Sequence, residues 1–190
     1  MPVSPILRRK HMNYAAIYFC DIGNGIGMRT SLYVSGCTHH CRGCFNEVAW
    51  DFNYGKPFTD EVQEAIIRES DHSYIDGITI LGGEPMEIAN QKALRPFIER
   101  YKARLPKQNI WLFSGYTWAE LTDSDNKRCH GEDTDAILSM VDILVDGEFQ
   151  IDSIDRRWRC EGDRKVRQKE KKRQNGGRPY AGPLCYTQNA

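Results

Sequence analysis

The sequence predicts an α/β fold with mainly parallel strands, and three observations lead to that class. Four short apolar runs, SLYVS (31–35), GITIL (77–81), IWLFS (110–114) and DILVD (142–146), are continuous rather than alternating. Continuous apolar runs are typical of strands that are covered on both faces. Helical patterns separate the runs, and a short motif follows each of them. Strands that alternate with helices favour βαβ units with right-handed crossovers.

Three helices are predicted between these strands. The first should begin after Thr59, a favourable N-cap, with Asp60 in its first turn and apolar residues spaced for one face. The second spans about 91–104, where Pro96 predicts either a helix start or a kink. The third is shorter and covers DAILSMV (135–141).

The composition indicates an ordinary globular protein. A length of 190 residues fits one domain, and 40% hydrophobic with 27% charged residues is average. The 26 basic and 26 acidic residues give zero formal net charge, so neither nucleic acid nor a membrane is an expected partner. No apolar run approaches the roughly 20 residues of a membrane span, and the N-terminus lacks the apolar core of a secretory signal. We expect a cytoplasmic protein.

The composition changes near the C-terminus. Residues 164–178, RKVRQKEKKRQNGGR, contain eight Lys or Arg, one Glu and almost no apolar residue. Such a segment buries too little surface to offset the entropy of ordering. We expect residues 163–190 to form a basic, disordered tail, and we favour a solvated tail over one that contacts nucleic acid or an acidic partner.

Three of the seven cysteines, Cys37, Cys41 and Cys44, form a C-x3-C-x2-C run in SGCTHHCRGCFN (35–46). The other four are scattered singly, so the pattern indicates a metal or redox site rather than a disulfide scaffold. Zinc would need a fourth ligand from His39 or His40, which lie awkwardly between the first two cysteines. A [4Fe–4S] cluster on three thiolates would keep one iron open for a substrate, and we favour this interpretation over zinc.

The remaining motifs also follow the predicted strands. GGEP (82–85), SGY (114–116) and DGEF (146–149) follow the second, third and fourth strands, as SGC follows the first. Chemistry in parallel α/β sheets gathers at the carboxyl ends of the strands. We therefore expect the four motifs to form one site.

The cysteine run resembles the signature of the radical S-adenosylmethionine superfamily. Five segments resemble one branch of it, the activating enzymes of anaerobic (class III) ribonucleotide reductase, in order and spacing: MNYAAIYFCDIGNGIGMRTSLYVSGC, GCFNEVAWDFNYGKPFT, ILGGEPM, IWLFSGYTWAEL and DILVDGEF. The resemblance covers roughly residues 12–162 and implies a truncated (β/α) barrel. Residues 1–11 would be an N-terminal extension or the result of a misassigned start.

The resemblance also implies the site residues. The ligands of a [4Fe–4S] cluster, whose open iron binds S-adenosylmethionine, would be Cys37, Cys41 and Cys44. The residues that bind this cosubstrate would be Gly43, Cys44, Phe45, Gly82, Gly83 and Glu84. In the superfamily an aromatic residue usually precedes the last cysteine, whereas Gly43 stands there in this chain.

The implied function is that of an iron–sulfur activase. It would cleave S-adenosylmethionine reductively to a 5′-deoxyadenosyl radical and generate the glycyl radical of anaerobic ribonucleoside-triphosphate reductase. Its partners would be the glycine-bearing loop of that reductase and a flavodoxin-like electron donor. The alternatives are a radical S-adenosylmethionine enzyme that acts on a small molecule, and a non-catalytic zinc module that binds nucleic acid.

Three further expectations concern residues around this site. We expect His39 and His40 to face solvent. The loop at 24–27 could border the access route of a target peptide, and Asp146 is a candidate for a hydrogen bond near the cofactor or that peptide.

Overall fold

A computed structural model of the chain describes residues 12–150 and the backbone of residues 165–168. The strands are β1 Asn13–Asp21, β2 Arg29–Val34, β3 Lys56–Pro57, β4 Gly77–Gly82, β5 Asn109–Ser114, β6 Ile143–Asp146 and β7 Lys165–Gln168. The helices are α1 Asp60–Ser70, α2 Ile88–Arg104, α3 Trp118–Thr122 and α4 Thr134–Met140, with a 3-10 turn at Glu47–Trp50.

All of these strands belong to one mixed sheet in the order β3-β1-β2-β4-β5-β6-β7. The central strands β2, β4, β5 and β6 are parallel, which confirms the α/β class and the mainly parallel centre. Strands β1, β3 and β7 run antiparallel to their neighbours. Val34 pairs with Gly82 and Ser114 with Asp146, so the central strands end at the same edge of the sheet.

One face of the sheet packs on the helices and forms the main core. Leu32, Ile80 and Leu112 are fully buried there, as are Leu94 and Phe97 of α2. Burial of each of these side chains stabilises the fold by about 1.5–3 kcal/mol. The opposite face carries a smaller apolar cluster of Trp111, Phe113 and Val145.

The predicted helices form, but α2 differs from its prediction at Pro96. The helix begins at Ile88, before the predicted 91, and continues through Pro96, so a start at this proline was wrong. Pro96 and Lys92, four residues before it, are exposed. The carbonyl that proline leaves without a helical donor therefore faces water, which reduces the cost of the proline. The N-cap prediction is confirmed, because the Thr59 side chain accepts a hydrogen bond from the Val62 amide.

A buried arginine fixes the loop at 22–28 to the second face of the sheet. Arg29 is fully buried; it donates from Nε to Thr79 Oγ1 at 2.7 Å and from Nη2 to Ile78 O at 2.8 Å. Its guanidinium also lies 5.2 Å from the centroid of the Trp111 ring. Thr79 in turn donates to the Asn24 carbonyl at 2.7 Å. Because Arg29 pairs with the first residue of β4, this loop lies toward the amino ends of the parallel strands.

A second polar cluster joins β1 to β2. The Asp21 carboxylate accepts hydrogen bonds from Ser31 Oγ and Asn24 Nδ2, both at 2.5 Å, and from the Gly23 amide at 2.8 Å. Burial alone would raise the pKa of Asp21, but these hydrogen bonds outweigh it and hold the pKa below the usual 3.8.

Strand β7 falls in the segment for which the sequence predicted a disordered tail. Residues 165–168 pair antiparallel with β6 and cover its outer edge. Backbone hydrogen bonds supply this pairing without requiring an apolar sequence, which is why composition did not indicate it. The rest of the predicted tail and the predicted extension at 1–11 lie outside the described residues. Among the described helices, none has the length and apolar character that crossing a membrane requires.

Candidate functional site

The predicted motifs meet at the carboxyl ends of the parallel strands, around a cavity of about 70 Å³. Six predicted site residues line it: Cys37, Cys41, Cys44, Gly82, Gly83 and Glu84. Gly43 and Phe45 are exposed beside Cys44 and are not among the lining residues. Phe149 also lines the cavity, and its ring lies edge-on to Phe45 with centroids 5.1 Å apart, so the segment after β6 covers the cysteine loop.

Backbone hydrogen bonds fix the first part of the cysteine loop. The Gly36 amide donates to Ala49 O at 2.8 Å, and the Cys37 amide donates to Trp50 O at 3.2 Å. From the end of β4, the Glu84 amide donates to Gly36 O at 2.8 Å. A Cβ atom on Gly83 would lie 2.6 Å from Gly36 O and 2.9 Å from Ala49 O. The second glycine of GGEP therefore permits a close approach of two backbones.

The thiols differ in burial. Cys37 is 8% exposed, and burial raises the pKa of its thiol to about 12. Burial also raises the pKa of Cys41. The Cys44 sulfur accepts a hydrogen bond from the Asn46 amide at 3.4 Å, so at least one backbone N–H reaches a sulfur of the cysteine run. In the metal-free chain the Cys37 thiol is protonated at neutral pH, and metal binding would release its proton.

The three thiols lie around one cavity, which suits an iron–sulfur cluster. Within residues 12–150, no three His, Cys, Asp or Glu side chains come together closely enough to hold one metal ion. The three thiols instead border a shared cavity. The thiolates that hold a [4Fe–4S] cluster bind different irons, so they have to surround a shared space, as these three thiols do. The donor set therefore fits the cluster.

Glu84 joins the ends of two strands. It is 1% exposed, and Oε1 accepts hydrogen bonds from the Met86 amide at 2.8 Å and from Ser114 Oγ at 2.9 Å. Oε2 accepts from the Gly115 amide at 2.6 Å. The carboxylate thus ties the β4 motif to the β5 motif at the border of the cavity.

His39 does not face solvent, and that prediction was wrong. Its side chain is 7% exposed, its ring centroid lies 4.3 Å from that of Tyr116, and Nε2 lies 3.3 Å from Glu84 Oε2. The angle of this contact is not that of a hydrogen bond, so among the described residues the buried Nε2 has no hydrogen-bond partner. His39 lines the cavity, where a bound group could satisfy this nitrogen. Distant residues create this burial, which the local sequence could not indicate.

His40 is exposed, as predicted, although it is not unconstrained. Its φ of +53° is left-handed, a conformation that costs a non-glycine residue about 1–2 kcal/mol. Its ring stacks on Trp50 with centroids 4.5 Å apart and planes inclined by 8°. This stacking stabilises the turn that leads directly into Cys41.

Two polar residues at the beginning of α2 support the cysteine loop and were not predicted to do so. Glu87 Oε1 accepts hydrogen bonds from the Thr38 amide at 2.8 Å and from Thr38 Oγ1 at 2.6 Å. Asn90 Nδ2 donates to Ser35 O at 3.1 Å and to Glu84 O at 2.8 Å. Their spacing of three places them on one side of the helix start, but such a pair is common and does not by itself indicate a contact with the cysteine loop.

Two further expectations concerned Asp146 and the loop at 24–27. Asp146 Oδ2 accepts a hydrogen bond from the Trp118 amide at 2.7 Å, so this carboxylate holds the start of α3 against β6. The loop lies toward the other end of the parallel strands from the cysteines, where Asn24 contacts Thr79. Its glycines thus have a packing explanation.

Comparisons with known proteins agree with this geometry. Residues 23–168 match the family model described as a 4Fe-4S single cluster domain. The chain is 40% identical over 146 residues to the anaerobic ribonucleoside-triphosphate reductase-activating protein of Pasteurella multocida, covering 76% of this chain and 88% of that protein. It is 40% identical over 140 residues to the protein of the same name from Vibrio cholerae, covering 73% and 84%. For the Escherichia coli K12 protein of that name, identity is 35% over 140 residues, covering 73% and 85%.

Proposed function

Because the chain belongs to the family of anaerobic ribonucleoside-triphosphate reductase-activating proteins, we propose that it generates the glycyl radical of its cognate reductase. It would do so with a [4Fe–4S] cluster and S-adenosylmethionine as cosubstrate. The observation that carries this proposal is that the three thiols of the C-x3-C-x2-C run and the GGE element border the same cavity.

In this proposal Cys37, Cys41 and Cys44 hold the cluster. When bound and reduced, the cluster would supply the electron for reductive cleavage of S-adenosylmethionine to methionine and a 5′-deoxyadenosyl radical, and that radical would take a hydrogen atom from the glycine of the reductase. The cosubstrate would bind against Gly82, Gly83 and Glu84 at the cavity border, with Gly43, Cys44 and Phe45 of the cysteine loop as its further contacts.

The chain's own residues arrange and protect this site. Glu84 holds the ends of β4 and β5 together, so that Gly82 and Gly83 stay at the cavity border, where backbone carbonyl groups would accept hydrogen bonds from an ammonium group. Its carboxylate also brings negative charge to the cavity border, which favours a cationic cosubstrate. Phe149 and Phe45 cover one side of the cysteine loop and reduce access of water to the site.

The proposal extends to the type of barrel and to the partner proteins. The parallel centre of the sheet would correspond to the truncated (β/α) barrel of the radical S-adenosylmethionine fold, with residues 12–162 as the activase domain. The target is the glycine-bearing loop of the reductase, and a flavodoxin-like protein would supply the electron. The small size of the chain suits a target that a large partner protein presents.

Anaerobic reconstitution with ferrous iron and sulfide tests the cofactor. The wild-type chain should gain the visible absorption of a [4Fe–4S] cluster, and alanine at Cys37, Cys41 or Cys44 should abolish it. Serine at Cys20 or Cys129 provides the matched control, because neither residue lines the cavity. A colourless wild-type protein with about one zinc and no sulfide would instead support a zinc module.

Addition of S-adenosylmethionine, a reductant and the cognate reductase tests the reaction. The expected result is a glycyl radical on the reductase, detected by electron spin resonance, with release of 5′-deoxyadenosine that depends on the reductase. Release at full rate with a small molecule and no reductase would refute the proposed target and support the small-molecule alternative.

A further inference from the structure

We infer that Glu87 and Asn90, at the N-terminal end of α2, are positioning residues that hold the cysteine loop in the conformation that binds the cluster. This inference rests on the proposed function, because the ligand it concerns is the first cysteine of the cluster site. The two residues act through the backbone on either side of Cys37 and need not touch the cofactor.

Glu87 holds the residue that follows Cys37. Its side chain is 7% exposed, and one oxygen accepts both the amide and the hydroxyl hydrogen of Thr38, at 2.8 and 2.6 Å. The hydroxyl of Tyr116 donates to the same oxygen at 3.4 Å. Glu87 is the N-cap residue of α2, yet its side chain makes no capping hydrogen bond to that helix. The carboxylate is therefore directed to the cysteine loop, while the helix N-terminus still favours its negative charge.

Asn90 holds the residues that precede Cys37. It is 1% exposed, and its amide nitrogen donates to the carbonyls of Ser35, Gly36 and Glu84 at 3.1, 3.4 and 2.8 Å. One side chain thus joins the backbone at the end of β2 to the GGEP motif after β4. Glu87 and Asn90 lie three positions apart and share one side of the helix start, so α2 holds the loop backbone on both sides of Cys37.

The neighbouring Gln91 provides a control that distinguishes positioning of the cysteine loop from a general contribution to stability. It is also 1% exposed in α2 and donates to the carbonyls of Met86 and Cys129, each at 2.7 Å. Its side chain also accepts a hydrogen bond from Thr134 Oγ1 at 2.7 Å, and none of these three partners belongs to the cysteine loop. Replacing Gln91 therefore removes a comparably buried amide and leaves the support of Cys37 in place.

Loss of groups that orient metal ligands typically costs about 10–100-fold in metal affinity. We expect Glu87→Ala and Asn90→Ala to lose iron to an excess of chelator at least about tenfold faster than wild type after identical anaerobic reconstitution of the full chain. The electron spin resonance spectrum of their reduced cluster should also change in line shape. Glu87→Gln should recover most of the stability of the cluster, because its amide oxygen can accept the same hydrogen bonds from Thr38.

Gln91→Ala should lower the melting temperature about as much as Asn90→Ala, yet keep the wild-type rate of iron loss and the wild-type spectrum. Equal rates and spectra for Asn90→Ala, Glu87→Ala and Gln91→Ala would overturn the inference. If Asn90→Ala fails to fold, the comparison of Glu87→Ala with Glu87→Gln decides in the same way. A wild-type chain that binds no cluster would defeat the proposed function itself, a result distinct from a stable cluster that is indifferent to Glu87 and Asn90.

Discussion

Replacing Gly83 by alanine should separate the two backbones that form the site. The added Cβ would stand 2.6 Å from Gly36 O, whereas ordinary contacts begin at 3.4 Å, so one of the two segments must move by about 0.8 Å. The hydrogen bond from the Glu84 amide to the same oxygen would be stretched, at a cost of about 1 kcal/mol. Overpacking of a tightly packed site adds about 1–3 kcal/mol.

The expected loss of stability is therefore about 2–4 kcal/mol, which for a chain of this size lowers the melting temperature by about 4–16 °C. Thermal unfolding followed by circular dichroism measures this loss, and iron content after reconstitution should fall with it. Gly131→Ala is the matched control, because its Cβ would meet only the flexible end of the Ile88 side chain, at 2.9 Å. If Gly83→Ala melted within 2 °C of Gly131→Ala, our explanation of the second glycine of GGEP would be refuted.

Three substitutions away from the cavity test the framework. Arg29→Met should destabilise the chain by about 3 kcal/mol in urea unfolding, because Thr79 and backbone carbonyls lose their buried donor; an unchanged midpoint would contradict this role. Asp142→Ala should cost about 1–3 kcal/mol, since the Ile110 amide loses its acceptor at 2.9 Å. Asp21→Asn should be less stable than wild type at pH 7. The hydrogen bonds that lower the pKa of Asp21 stabilise the fold fully above pH 3.8, and this contribution disappears as the pH falls through the pKa of the folded state. The difference in stability between wild type and Asp21→Asn should therefore shrink in acid. A difference that stays constant with pH would refute this role of Asp21.

The strands of the parallel centre were predictable because each is a continuous apolar run that belongs to a buried element. Strand β1 was not predicted as a strand, since its sequence, NYAAIYFCD, lies at the outer part of the sheet and has no fully buried residue. Its pairing with β2 depends on a chain reversal rather than on apolar character. The error in helix α2 had another cause. The rule that proline starts or kinks a helix was applied without knowing that Pro96 faces solvent.

Within the site, residue spacing was sufficient to identify the three thiols and the GGE element as neighbours. It was insufficient for His39, whose burial depends on Tyr116 and Glu84, more than 40 positions away. It was also insufficient for Glu87 and Asn90, which read as ordinary polar residues of a helix start. Their function follows from which loop the helix faces, and only the folded sheet determines that.

The link from Asn90 to the Ser35 carbonyl spans 55 positions of the chain. During synthesis the three thiols therefore leave the ribosome long before the helix that fixes their loop. In that interval the hydrogen bonds from α2 that support the backbone on either side of Cys37 do not yet exist, so the loop reaches its folded conformation only after residues 87–90 have been made.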